Sequence, residues 1–120
     1  MYSLKVVAYQ PEESIDQRLH TELWTSWASL LRSYAAAHGL NATQHAVVEV
    51  SSHEITLRVG SEWLRFTPAE MQQSDPQPGD QAAQPFALHE DGTVAISGSA
   101  AEEMDLAAER LVREMFQQPQ

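Results

Sequence analysis

The chain has 120 residues, 42% of them hydrophobic and 20% charged, which suits one domain burying roughly two-thirds of its surface without a metal or disulfide staple. It has no cysteine, which excludes a disulfide scaffold, a cysteine nucleophile and a thiolate metal site. Its 17 acidic and 7 basic residues give a net charge of −10, which argues against nucleic-acid binding, because phosphate contacts need clustered Lys and Arg.

The first residues, MYSLKVVAYQ, alternate loosely, with Tyr2, Leu4 and Val6 set against Ser3, Lys5 and Val7. This predicts a short edge strand over 2–9, broken by Pro11-Glu12-Glu13. The run is too short for a signal peptide, and no stretch approaches the roughly 18 apolar residues of a membrane span. The expectation is a soluble cytoplasmic protein with no membrane partner.

Residues 14–38 predict a long amphipathic helix. Ser14 and Gln17 form a Ser-x-x-Gln capping box, and Ile15, Leu19, Leu23, Trp27, Leu30, Leu31 and Tyr34 recur at the helical period. Gly39 occupies the position of a left-handed C′ residue, with Leu40 placed to fold back on the last turn. The apolar arc spans roughly 160° of the helical wheel, and Trp24, Leu31 and Ala35 form a shoulder broader than one sheet face covers.

Three short strands follow, at 45–51, 54–59 and 62–67, joined by Ser51-Ser52 and by a Gly60-Ser61 hairpin loop. Ile55, Leu57, Val59, Leu64 and Phe66 belong to one face, and Thr56, Arg58, Trp63 and Arg65 to the other. Thr67-Pro68-Ala69-Glu70 reads as the cap of a brief helical turn. Residues 72–85, rich in Gln and Pro, read as a flexible loop. Asp91-Gly92 marks a hairpin between strands at 86–89 and 93–97. Ser99 and Glu102 cap a final helix with an apolar stripe of Met104, Ala107, Ala108, Leu111 and Met115, and residues 117–120 form a frayed tail. The fold class is α+β: one domain over 1–120, with an antiparallel sheet of five to six strands packed by a long N-terminal and a C-terminal helix.

Chemistry-bearing motifs are absent. His20 and His38 are about 27 Å apart along one helix. His45 and His53 fall at opposite ends of one hairpin, and His89 precedes an acidic turn. No metal-ligand spacing, nucleophile elbow or glycine-rich phosphate loop occurs, so no catalytic residue, cofactor or metal is expected.

The element order from residue 14 to 117 is similar to that of class I type III secretion chaperones, in which a helix, three strands, a helix, two strands and a helix follow one another. That resemblance rests on order, size and acidity. It implies a homodimer that holds an extended segment of a secreted protein. The chain departs from the pattern in its leading strand and in the polar Gln/Pro sequence standing where those proteins have an apolar middle helix.

The leading expectation is a non-catalytic protein-binding or chaperone-like homodimer, with Trp24, Leu31 and Trp63 as its contact residues. The acidic second half (residues 61–120 hold 11 acids and 3 bases) would steer a basic or extended protein segment toward it. One alternative is a small enzyme or ligand carrier with a pocket between helix 14–38 and the sheet, using His20, His38, Tyr34 and Arg58. Another is an acidic inhibitor that mimics nucleic acid.

Overall fold

The computed structural model describes residues 11–76, 78 and 81–117, the side chains of 11–16 excepted. The strand expected at 2–9 lies outside the described residues. Helix α1 (Pro11–Gly39) leads into strands β1 (Ala46–Val50), β2 (Ile55–Val59), β3 (Glu62–Phe66), β4 (Glu70–Gln73), β5 (Ala83–Leu88), β6 (Thr93–Ile96) and β7 (Glu102–Glu103), and helix α2 (Met104–Gln117) ends the described chain. The class is α+β. Among the described residues the strands make one antiparallel sheet in chain order, β1 to β7, seven in count rather than five to six.

The meander follows from its alternation. Val48, Leu57 and Leu64 stand in cross-strand register, as do Val50, Ile55 and Phe66, which puts the apolar set of three strands on one face. Gly60 turns the β2–β3 corner with φ of +62°, a conformation that costs glycine nothing. Both helices contribute to the single core on that face, where Trp27 contacts Phe66 edge-on at 5.4 Å and Phe86 at 5.7 Å. Val47, Glu49, Arg58, Trp63 and Arg65 belong to the opposite face. There the Arg65 guanidinium lies 4.5 Å from the Trp63 ring centre, a cation–π contact.

Several local expectations give way to competing interactions. Helix α1 starts at Pro11, so Ser14 lies inside it. Gly39 is its last residue and does not have positive φ, while Leu40 is 81% exposed instead of folding back. A Cβ at Gly39 would meet Phe116 of α2 at 3.6 Å, so this glycine marks a close helix–helix approach.

Thr67-Pro68-Ala69-Glu70 is a turn, not a helix start. The Thr67 hydroxyl accepts the Ala69 and Glu70 N–H groups at 3.4 and 3.1 Å, and the Thr67 N–H donates to the Glu70 carbonyl at 2.8 Å. The same side chain that caps a helix closes this hairpin, because the backbone groups it satisfies are alike in both. Strand β4 therefore stands where the chaperone resemblance implies a middle helix. Residues 72–73 and 83–85 pair within the sheet, which shortens the predicted 72–85 loop to 74–82.

Ser97 and Gly98 both have positive φ, +62° and +72°, and the Ser99 N–H returns to the Ile96 carbonyl at 3.1 Å, which makes a tight turn. The Ser99 hydroxyl also donates to Ile96, at 2.6 Å, rather than capping α2. Glu102 pairs with Val94 as part of β7, so the last helix begins at Met104. Its expected stripe is buried, with Val112 added, and the helix runs through Gln117 of the predicted tail.

Candidate functional site

The contact residues expected from the sequence do not form a common surface. Trp24 is 5% exposed and Leu31 fully buried, both inside the chain's own core. The wheel places the apolar arc, and the packing makes its shoulder the centre. Trp24, Trp27, Ala28, Leu31 and Ala35 are the buried middle, and Leu23, Leu30 and Tyr34 flank it. The arc is wide because α1 meets two surfaces, the sheet and α2. The shoulder therefore has a partner within the subunit. Trp24 is also tied by its indole N–H to the Ser51 carbonyl at 2.9 Å, which fastens α1 to the β1–β2 turn. Trp63 is half-buried on the opposite face of the sheet, under Arg65.

The polar residues of the pocket alternative are dispersed as well. His20 stacks beside Trp24, with ring centres 6.1 Å apart. Arg58 pairs with Glu49 at 3.4 Å on the outer face. Tyr34 donates to Asp105, and His38 contacts Glu109 at 3.0 Å. Because 34 and 38 are one turn apart, as are 105 and 109, these two contacts form a polar seam along parallel helices. The hydrogen bond to Asp105, with burial and the nearby carboxylates, raises the Tyr34 pKa above its ordinary value. Asp91 is displaced the other way by hydrogen bonds from the Thr93 hydroxyl and backbone, which favour its carboxylate. The space between α1 and the sheet is filled by Trp27, Leu31, Phe66 and their neighbours. Among the described residues no three His, Asp or Glu side chains are placed to share a metal ion, and no helix is long and apolar enough to cross a membrane.

A groove does exist, beside α2 rather than α1. Its volume is about 290 Å³. Leu64 of β3, Met71 of β4, Ile96 of β6, and Leu111 and Met115 of α2 make its floor. These residues keep a trace of solvent exposure, whereas Phe66, Ile55, Leu57 and Val59, deeper in the same core, keep none. Gln73 and Gln84 line the groove, and their side-chain amides both donate to the Gln81 carbonyl, at 3.2 and 3.4 Å. Arg110 stands on the rim between two carboxylates, hydrogen-bonded to Glu102 and 3.8 Å from Glu114. Arg110 and Glu114 line the groove and Glu102 stands behind Arg110, so the three together carry one negative charge at this side of it. The lip opposite is the Ser97–Ser99 turn.

Sequence reasoning named Leu111 and Met115 as helix stripe but missed Met71, since a lone apolar residue in Glu-Met-Gln-Gln gives no alternation to read. The order Phe66, four turn residues, Met71 was the available signal: a short hairpin in that register returns Met71 to the face of Phe66. No protein-family model, curated protein or solved structure matches this chain.

Proposed function

We propose that the protein is a non-catalytic binding module that holds an extended protein segment in the groove between α2 and the sheet. The observation that carries this reading is an apolar floor with two methionines beside the Glu102–Arg110–Glu114 cluster. Methionine is flexible and polarizable, so it accommodates different apolar side chains, a property used at surfaces that accept several partners. The floor receives a Leu, Met or Phe side chain. The Glu102–Arg110–Glu114 cluster beside the groove, with its one net negative charge, favours a neighbouring Lys or Arg on the ligand and disfavours Asp or Glu. A chaperone-like role, shielding an apolar anchor within a basic stretch of a client, is the form of this function that agrees with the chain's overall charge of −10.

The test is a titration followed by amide and methyl NMR shifts. Two short peptides share one central Leu and differ only in Lys or Glu flanks. The Lys-flanked peptide shifts Leu64, Met71, Leu111 and Met115, and the Glu-flanked peptide binds at least tenfold more weakly. Glu114→Lys, at a solvent-facing rim position, removes that preference. Shifts elsewhere on the protein, or equal binding of both peptides, would overturn the reading.

A further inference from the structure

On the footing of the binding reading above, we infer that the groove selects its extended segment by spacing: a lysine two residues from the apolar anchor, with its ammonium seated against Glu62. The groove does not stop at Leu64. A notch of about 10 Å³ continues it, sharing Leu64, Gln73 and Met115 as walls and adding Glu62, Ser74 and Asp75. Such a space holds one water-sized group, which suits a compact ammonium and is too small for a planar guanidinium.

Strand alternation puts these groups together. Glu62, Leu64 and Phe66 share the core face of β3, so Glu62 stands about 7 Å from Leu64, one two-residue step along the strand. Leu64 pairs with Gln73 across β3 and β4, and two residues further on the same register sets Glu62 beside Asp75. Ser74 fastens the strands at this point. Its N–H donates to the Trp63 carbonyl at 3.1 Å, and its hydroxyl accepts the Trp63 N–H at 3.0 Å and donates to the Glu62 carboxylate at 3.1 Å. Glu62, half-buried, is thus held at the end of the groove with further acceptor capacity on its carboxylate.

The charges favour a cation there. Among the described residues no Lys, Arg or His forms an ion pair with Glu62 or Asp75. Like charges directly across a strand pair repel each other, so a cation between them is drawn from both sides. Glu102 and Glu114, on the α2 side of the groove, differ in already sharing Arg110.

The spacing follows from the geometry of an extended ligand. Its side chains two residues apart point the same way, about 7 Å from one another, and the residue between them points the opposite way. An apolar anchor over Leu64 and Met115 therefore brings a residue two positions before or after it to Glu62. A lysine one position away is turned from the notch.

Two isomeric peptides with one central Leu test this against the full chain by amide and methyl NMR. One carries Lys two positions to either side of the Leu and the other one position to either side, with Ser at the remaining places, so composition and charge are equal. The first shifts the Ser74 and Asp75 amides together with the Met71 methyl, and binds about tenfold more tightly than the second. Glu62→Gln abolishes that difference while its amide oxygen still accepts the Ser74 hydroxyl, which unchanged urea unfolding checks. Norleucine in place of both lysines, or arginine in place of both, also abolishes it. Glu114→Lys leaves it intact, because the two peptides carry the same charge. Equal binding of the lysine peptides with Met71 shifted, or a difference that survives Glu62→Gln, would overturn the spacing rule and leave the groove reading standing. No Met71 shift with either peptide would overturn both. Met71 and Met115 methyl signals that change on dilution without peptide would give the groove to a second copy of the chain and overturn the proposal as well.

Discussion

The two core tryptophans of α1 provide a test in which burial alone gives the wrong order. Trp27 is fully buried and Trp24 is 5% exposed, so burial ranks Trp27 as the costlier to change. Their indole nitrogens differ. Trp24 Nε1 donates to Ser51, whereas Trp27 Nε1 is buried with no hydrogen-bond partner. Replacing each by Phe removes the same atoms, so the loss of volume largely cancels between the two variants. Trp24→Phe also loses a hydrogen bond worth about 1 kcal/mol net, while Trp27→Phe relieves an unsatisfied donor that costs about 1–3 kcal/mol. Looser contact of the smaller ring with Phe66 and Phe86 returns roughly 0.5 kcal/mol of that relief. Trp24→Phe should therefore be the more destabilising by about 2 kcal/mol. With a urea m value of about 2 kcal/mol/M, the two unfolding midpoints differ by about 1 M. Equal midpoints, or a lower one for Trp27→Phe, would show that packing governs both sites and refute the hydrogen-bond argument.

Two glycines should respond to alanine in opposite directions. Gly39→Ala adds a methyl at ordinary contact distance from Phe116, at a helical position without positive φ, and should raise stability by about 0.5–1 kcal/mol in chemical denaturation. Gly98→Ala meets no atom within 4 Å but has φ of +72°, and should cost about 1–2 kcal/mol. The Tyr34 pKa is higher folded than unfolded, so the folded state keeps that proton longer. Its contribution is complete below pH 10 and disappears as pH rises through the folded value. Melting temperatures from pH 8 to 11 should fall less steeply for Tyr34→Phe than for the unaltered chain. Asp91 has the opposite sign: its contribution is present above the ordinary carboxylate pKa and is lost as pH falls through its lowered folded value, so Asp91→Asn should flatten the acid limb of the same curve.

The strands β1, β2 and β3 were legible because alternation and a Gly-Ser corner agree on one register, and α2 because its stripe repeats cleanly. The Thr67 and Ser99 sites were not, since a hydroxyl followed by a carboxylate three residues later serves a hairpin turn as well as a helix cap. Only the tertiary pairing of Met71 with Gln84, and of Glu102 with Val94, decides between them. The groove was hidden for a related reason. Its floor combines β3, β4, β6 and α2, and no local window contains more than two of its residues. The breadth of the α1 arc was visible, but one chain's periodicity does not say whether a second helix or a second molecule covers it.

The strand order of the sheet repeats the order of synthesis, and this shapes how the molecule is made. Each strand pairs with the one just before it, so the meander requires no long-range search. Tyr34–Asp105 and His38–Glu109, by contrast, join positions 71 residues apart, and they exist only once the final helix has emerged. Until then Leu64, Met71 and Ile96 have no cover from Leu111 and Met115. The chain that precedes α2 is a nearly complete sheet with α1 over part of its apolar face and the groove side still uncovered, and the last fourteen-residue helix closes that side.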